Sequence, residues 1–534
     1  MTAVKDQQLQ AKADKQAGRK LMYEGHAWAG IGLGLLMFIV CFSGVIALFT
    51  DEVALWEDER LRRPYTGSEF SMDKTVRAAN ALFEGEANFA VAVPPSEFYP
   101  LARVYLRDNN TGESQNFNFN PETNEMLHTS DDGVGHFLAH MHTDLHLPKP
   151  WGRYLVGFMG VILMFSIITG VIIHKKILKE LFSFRVGRSL RLMITDSHKA
   201  MSVWGLIFHA MIGFTGALIG LSGILLLIAA GAAYKGDTAA AQAAILGTPP
   251  QYVGEAAPMT NLDDLRLKAL EMQPGTVMES AFIQNFGDKN AYVDFNLDTP
   301  SVTRTALAPR GSVSFHAVTG EFLSSKDWHA SGIGMRIYYS IVPLHYATYG
   351  GVALKVLYAL LGLSTSMLSI SGILLWMERR TGRKGNEAMN SYRWLSSLSV
   401  GVCGGMVLAT ASALFAQHIA IAAGYNVTET IVGNTYFTVW IMSIIFAFTV
   451  GNAYRSTRLL LQISAAISIL VPIANGLLTG DHLFKTLLTA EWAVALVDLT
   501  MLMVGALLIY SASKIPLERP EVVRHRRAAA QPAE

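Results

Sequence analysis

Residues 196–221, DSHKAMSVWGLIFHAMIGFTGALIGL, open on a histidine at a basic boundary and continue as an apolar helix in which Thr215-Gly216 reads as a break. Residues 24–49, EGHAWAGIGLGLLMFIVCFSGVIALF, repeat that shape. His198 minus His26 is 172, and Gly216 minus Gly44 is also 172, so two histidines and two Ser/Thr-Gly pairs keep one register. A duplicated unit is the reading that follows.

Composition fixes the medium. With 51% hydrophobic and 16% charged residues and a mean hydropathy of +0.30, the 534-residue chain is too apolar for an ordinary soluble protein. The net charge of +1 hides an uneven layout and says nothing about partners. Cys41 and Cys403 each lie in an apolar run, which excludes a disulfide framework and a cysteine metal site. Without a Cys-x-x-Cys-His sequence, any haem is held non-covalently. The leader ends Gly18-Arg19-Lys20 like a signal n-region, but the apolar run to Phe49 is too long for a signal and is read as an uncleaved anchor.

Segments long enough to cross roughly 30 Å of hydrocarbon fall near 27–49, 152–173, 203–230, 350–377, 394–422, 435–454, 459–478 and 489–512. About eight spans put both termini on one side. Lys175, Lys176, Arg185, Arg188 and Arg191, then Arg379, Arg380, Arg383 and Lys384, then Arg455 and Arg458, and the tail from Arg524, share the face of the basic N-terminus, which the positive-inside rule makes cytoplasmic. The expected organisation is a leader (1–25), a first unit (26–174, outer domain 50–150), a basic loop (175–197), and a second unit (198–378, outer domain 231–338). A linker (379–393), an accessory four-helix region (394–512) and a tail (513–534) follow.

The two long outer loops look folded, as α+β domains. Each opens with a helical pattern, 72–83 and 262–272, followed by alternating runs such as 102–106 and 291–295. Each closes on a turn, FNPETNEML at 119–127 and FHAVTGEFL at 315–323, in which Phe, Thr, Glu and Leu keep an offset of 196.

The His-x-x-x-Gly openings of spans one and three, the Leu/Met-His before spans two and four, the Gly-Arg-Tyr-Leu-Val-Gly start of span two, and Ser/Thr-Gly near each span's end come in repeated order. In these motifs residues 20–382 resemble the PepSY-associated transmembrane family, which includes iron-regulated membrane proteins and siderophore-iron reductases. The resemblance implies two periplasmic PepSY-like domains in a bacterial inner-membrane protein, and an oxidoreductase of the ferric-siderophore reductase type. The last four spans lie outside it.

Histidines at span edges carry the chemistry. A single one is read as facing headgroups, but here they pair by repeat. His26 and His198 open equivalent spans; His142 and His345 precede equivalent spans, since 345 minus 142 is 203 and Gly372 minus Gly170 is 202. Two imidazoles from facing helices suit a low-spin haem iron, so two haems b are expected, with these four histidines as axial ligands. His146, four residues after His142, is the substitute ligand; the family pattern favours His142, because Leu145 and Gly152-Arg153 then fall in place. On a straight helix His209 lies about 20° round from His198 and about 16 Å deeper. Its repeat partner is Met37, which ranks packing or proton handling ahead of ligation. Gly30, Gly34, Cys41 and Gly44 share that face of span one, where small residues admit a macrocycle or another helix equally. His174, whose counterpart is Trp376, sits beside two lysines and reads as an interfacial residue. Trp28, Trp151, Tyr154, Trp204, Tyr338, Tyr339 and Trp376 fit an aromatic belt.

No phosphate loop, nucleotide motif or His-Glu-x-x-His site occurs, and the basic residues are explained by topology, so nucleic acid is not an expected partner. Expected partners are membrane lipid, a cytoplasmic reductase or quinol as electron donor, and an outer ferric complex. His418 and His482 belong to an accessory bundle, a quinone site or a docking surface, and their spacing decides none of these. Competing readings are a haem-free PepSY-domain binding or regulatory protein and a transporter of iron complexes, although both units start on the same side, as parallel rather than inverted repeats do.

Overall fold

The computed structural model describes residues 2–62, 70–96, 99–127, 133–174, 190–248, 250–300, 307, 309–380, 386–425 and 429–517. Residues 175–189 of the basic loop 175–197, Arg383, Lys384 and the tail arginines lie outside them. Among the described residues seven helices are long and apolar enough to cross a membrane, or up to nine spans if each of two bent pairs counts as one. The eight expected fall within that range. Trp28, Trp151 and Trp204 are 72%, 72% and 64% exposed, as interfacial anchors are.

The first span is the continuous helix Thr2–Ala47, the second Trp151–Ile173 and the fourth Gly351–Arg380. The third is three helices, Leu190–Trp204, Leu206–Gly220 and Ser222–Ala233. Two expectations change here. Neither Ser43-Gly44 nor Thr215-Gly216 breaks a helix; the third span instead bends by 68° at Gly205. A Cβ on Gly205 would lie 2.4 Å from the His209 ring, so the glycine leaves room for that ring at the bend. Straight-helix geometry therefore does not relate His209 to His198.

The first span packs along the second and the fourth, and the third does the same, so spans one and three occupy one diagonal of a square bundle and spans two and four the other. Small residues set the second–third joint: a Cβ on Gly220 would come within 2.5 Å of Gly157 Cα, and one on Gly160 within 2.7 Å of Gly213 O.

Over one end of the bundle lies a single sheet. The helix Met72–Leu82 precedes β1 (Phe89–Val93), β2 (Ala102–Arg107), β3 (Ser114–Phe119) and β4 (Met126–Leu127). The helix Leu262–Met272 precedes β5 (Val277–Gln284), β6 (Tyr292–Asp298), β7 (Gly311–His316) and β8 (Phe322–Asp327). The strand order is β4-β3-β2-β1-β5-β6-β7-β8, antiparallel throughout. The two loops thus form one body, joined where Val91 faces Phe282 across β1 and β5. Ala90, Leu106, Phe117, Ile283, Phe295 and Val313 turn to one core with both helices. Those helices cap each other: Asp263 accepts from Met72 N–H (2.9 Å) and Ser71 Oγ–H (2.6 Å), while Asp73 accepts from Leu262 N–H (3.2 Å). Arg103 on the opposite face of β2 reaches Asp51, just beyond the first span, at 3.0 Å.

The spans five to eight run Tyr392–Ala422, Glu429–Val450, Ala453–Thr479 and Trp492–Lys514. The fifth widens to a π-helical turn at Val400–Gly404, where Trp440 Nε1–H donates to Val402 O at 2.9 Å.

Gly220→Leu is expected to force spans two and three apart and to destabilise the protein by about 1–3 kcal/mol, read as a lowered Tm in detergent. Gly231→Ala, where a Cβ meets nothing within 4 Å, is expected to leave Tm unchanged.

Candidate functional site

Four imidazoles meet in two couples inside the square bundle. His26 and His198, on diagonal spans, have ring centroids 6.4 Å apart and perpendicular planes. His142 lies in the last turn of the helix Val134–Thr143 before span two, and His345 in the last turn of Ile333–Tyr346 before span four; their rings lie 6.0 Å apart and within 20° of parallel. All four are partly buried. Val40, which touches His142, is 14 residues beyond His26 on one helix, so the couples are separated by about 21 Å along the bundle.

Each imidazole is oriented through Nδ1 by the span paired with its own. His26 Nδ1 meets Ser166 O at 3.0 Å and Thr169 Oγ1 at 3.1 Å. His142 Nδ1 meets Val40 O at 2.8 Å, a carbonyl that also accepts from Ser43 Oγ–H at 3.1 Å. His198 Nδ1 meets Ser371 Oγ at 2.8 Å, and His345 Nδ1 meets Thr215 Oγ1 at 2.9 Å. A carbonyl oxygen only accepts, so His26 and His142 carry their proton on Nδ1. Ser371 and Thr215 spend their own hydrogens on Leu368 O (3.0 Å) and Met211 O (2.7 Å), which leaves their oxygens to accept from Nδ1–H. In this tautomer Nε2 is the bare, metal-binding nitrogen.

The glycines after Ser43 and Thr215 give the His142 and His345 rings their space, and those after Thr169 and Ser371 lie beside the His26 and His198 rings at ordinary contact distance. A Cβ on Gly44 would stand 2.7 Å from His142, on Gly216 3.0 Å from His345, on Gly170 3.6 Å from His26 and on Gly372 3.8 Å from His198. The four Ser/Thr-Gly pairs, visible in the sequence as a repeat, are therefore imidazole cradles. The role of Thr169, Thr215 and Ser371 as Nδ1 partners was missed there, although the recurrence of a hydroxyl-glycine pair in each of the four spans was the signal that held it.

The donor set can be tested against chemistry. A nitrogen–metal bond of about 2 Å puts each ring centre about 3 Å from the ion, so two rings sharing one ion stand about 6 Å apart. Both couples fit that spacing. Among the described residues no three His, Cys, Asp or Glu are grouped to hold a metal ion. Two imidazoles alone suit an iron whose other four donors belong to a porphyrin.

The remaining histidines lie elsewhere. Both nitrogens of His146 face acceptors, Phe137 O at 2.9 Å and Glu429 Oε1 at 3.0 Å. His209 is 1% exposed, its ring bonded to the Leu361 backbone and its Nε2 without a hydrogen-bond partner; Met37 is 8% exposed. His174 ends the second span, where its N–H donates to Gly170 O at 3.0 Å. His140 Nδ1 lies 3.1 Å from Asp144 Oδ2, and His136 stands 6.1 Å from His140. His418 is buried 4.1 Å from Trp56, and His482 caps Leu483–Leu488.

These features define a multi-pass membrane protein with a sheet domain over one end of a histidine-bearing helical bundle. The family described as the PepSY-associated TM region matches residues 23–379, and the chain belongs to it. It is also similar to an uncharacterized protein of Pseudomonas aeruginosa, 28% identical over 384 residues, which is 70% of this chain and 93% of that relative. The family match stops at the end of the fourth span, before the last four.

Ser371→Ala and Thr215→Val each remove one Nδ1 acceptor. Were haem held between the couples, its retention, followed by titrating haem into stripped protein, would weaken about 10–100-fold in each; unchanged affinity in both would show that these bonds do not orient the rings.

Proposed function

We propose that the protein carries electrons across the bacterial cytoplasmic membrane on two haems b and reduces an Fe(III) complex, a ferric siderophore, on the sheet side in iron acquisition. The observation that carries this reading is the pair of imidazole couples, each bonded at Nδ1 and open at Nε2, stacked along one bundle. Haem supplies an iron that takes up and releases a single electron at a potential set by its ligands and burial.

The chain's own residues do the rest. His26 and His198 form the couple on the basic side, and His142 and His345 the couple beneath the sheet. Ser371, Thr215, Thr169 and Val40 fix the tautomer and ring direction, so no imidazole reorients between oxidation states. The apolar spans keep water from the couples. A duplicated span–sheet–span unit accounts for the 172-residue register and for the mirrored halves of the sheet. Positively charged short loops put the basic side and both termini in the cytoplasm and the sheet in the periplasm. A cytoplasmic reductase or a membrane quinol supplies the electrons. Reduction suits release, because Fe(II) binds hard oxygen chelators more weakly than Fe(III), so one electron loosens the metal.

The test is optical. Purified protein is expected to show reduced-minus-oxidised bands of low-spin b-type haem, and His198→Ala or His142→Ala alone is expected to remove about half of them. The double variant should be colourless. A colourless wild-type protein from haem-replete cells would overturn the reading.

A further inference from the structure

We infer that Glu57 and Gln417 are positioning residues for His142, and that the last four spans act as a clamp on the helix carrying it. The role given to His142 rests on the function proposed above; the clamp rests on contacts of its own.

The helix Val134–Thr143 begins at Gly133, which offers no side-chain cap. Its first N–H groups are met from elsewhere in the fold. Val134 N–H donates to Gln417 Oε1 at 3.2 Å, from the fifth span, and Gly135 N–H donates to Glu57 Oε1 at 3.2 Å, from the helix Thr50–Glu57 that follows the first. Glu57 and Gln417 are 3% and 2% exposed. The fit is tight, since a Cβ on Gly133 would lie 1.8 Å from Glu57 Oε2. One turn on, Phe137 packs against Tyr436 (5.0 Å between ring centres) and Phe437 (5.6 Å) of the sixth span, where Gly433 leaves it room. Beyond His142, His146 pairs with Glu429, which opens that same span. The segment is therefore gripped before and after its ligand.

Among the described residues the equivalent helix of the other half shows no such grip from the last four spans. Ile333–Tyr346 also starts at a glycine without a side-chain cap, but Ile333 and Ile337 are 69% and 56% exposed, whereas Val134 is 0%. Equal helices in unequal settings are what an added clamp on one side produces.

Glu57 acts as a neutral acceptor. Burial pushes its carboxyl up to about 8, opposed by the N–H groups of Gly135 and Val134 and by Gln417, and assisted by neighbouring Asp58. Near neutral pH it is protonated, so a glutamine reproduces its hydrogen bonding.

The experiment uses the full chain in lipid nanodiscs. In Gln417→Leu and Glu57→Leu, amide hydrogen exchange followed by mass spectrometry is expected to quicken about tenfold in 134–143 and to stay unchanged in 333–346, as loss of a buried hydrogen bond implies. Glu57→Gln is expected to exchange like wild type at pH 7. In a potentiometric titration of the bound haem, the two leucine variants should move one of two components and leave the other in place. Unchanged exchange in 134–143, equal quickening in both segments, or a joint shift of both components would each overturn the clamp. A colourless wild type would remove the haem reading, and the exchange data, which need no haem, would still decide the clamp.

Discussion

An imidazole has two nitrogens, and the structure depends on what it does with one of them. At each of four sites Nδ1 is bonded to a neighbouring span, which fixes both the tautomer and the direction of the ring. The bond crosses between spans in a reciprocal way: span one holds the histidine before span two, and span two holds the histidine of span one. Spans three and four repeat the exchange. A polar side chain at membrane depth is costly without a partner, so each unit is locked by two such bonds, and the rings are presented inward to the other unit. Gly44 and Gly216 are part of the same device, because a side chain at either would crowd the His142 or His345 ring.

The sheet imposes the same relation from above. Its two halves meet at β1 and β5, and its helices exchange aspartate caps, so the first and second halves are held as counterparts. Carboxylates at helix N-termini satisfy free N–H groups and complement the helix dipole. A body that spans both loops ties the outgoing ends of spans one and three to the incoming ends of spans two and four. The His142–His345 couple lies between those ends, and Arg103–Asp51 fixes the sheet to that level.

Local periodicity made much of this legible. Apolar runs placed the spans, and the helices Met72–Leu82 and Leu262–Met272 lie where the sequence pattern put them. The repeat of histidines, at offsets of 172 and 203, was enough to name the four residues that come together. What escaped was non-local. Nothing in residues 89–93 or 277–284 announces that they pair with each other, because an edge strand reads the same whether its neighbour is solvent or another domain. The bend at Gly205 was hidden in the same way, since an apolar run stays apolar through a kink. His209 therefore could not be placed by counting residues along a straight helix. The hydroxyl partners of Nδ1 were in view as Ser/Thr-Gly, but their meaning depends on which span faces which.

The last four spans break the symmetry that the rest of the chain keeps. Their attachment is polar as well as apolar. Trp56 Nε1–H donates to Asp498 at 2.7 Å, Asn475 donates to the same carboxylate at 3.1 Å, and Arg62 binds Asn475 at 3.0 Å and Asp481 at 2.8 Å. Asp498 and Asn475 are fully buried, so this network tolerates little displacement of the helix that carries Trp56 and Glu57. Phe38, Trp56, Phe137, Met141, Met406 and Tyr436 fill the space beside it as one apolar cluster. The polar network fixes where Glu57 stands, Glu57 and Gln417 fix where the Val134 helix starts, and a ten-residue helix with a fixed start leaves its ninth residue, His142, little freedom. The same chain of contacts reaches only one of the two rings in that couple. His345 depends instead on Thr215, on a helix whose Ile333 and Ile337 are exposed, so the clamp acts on one imidazole of the couple and not on the other.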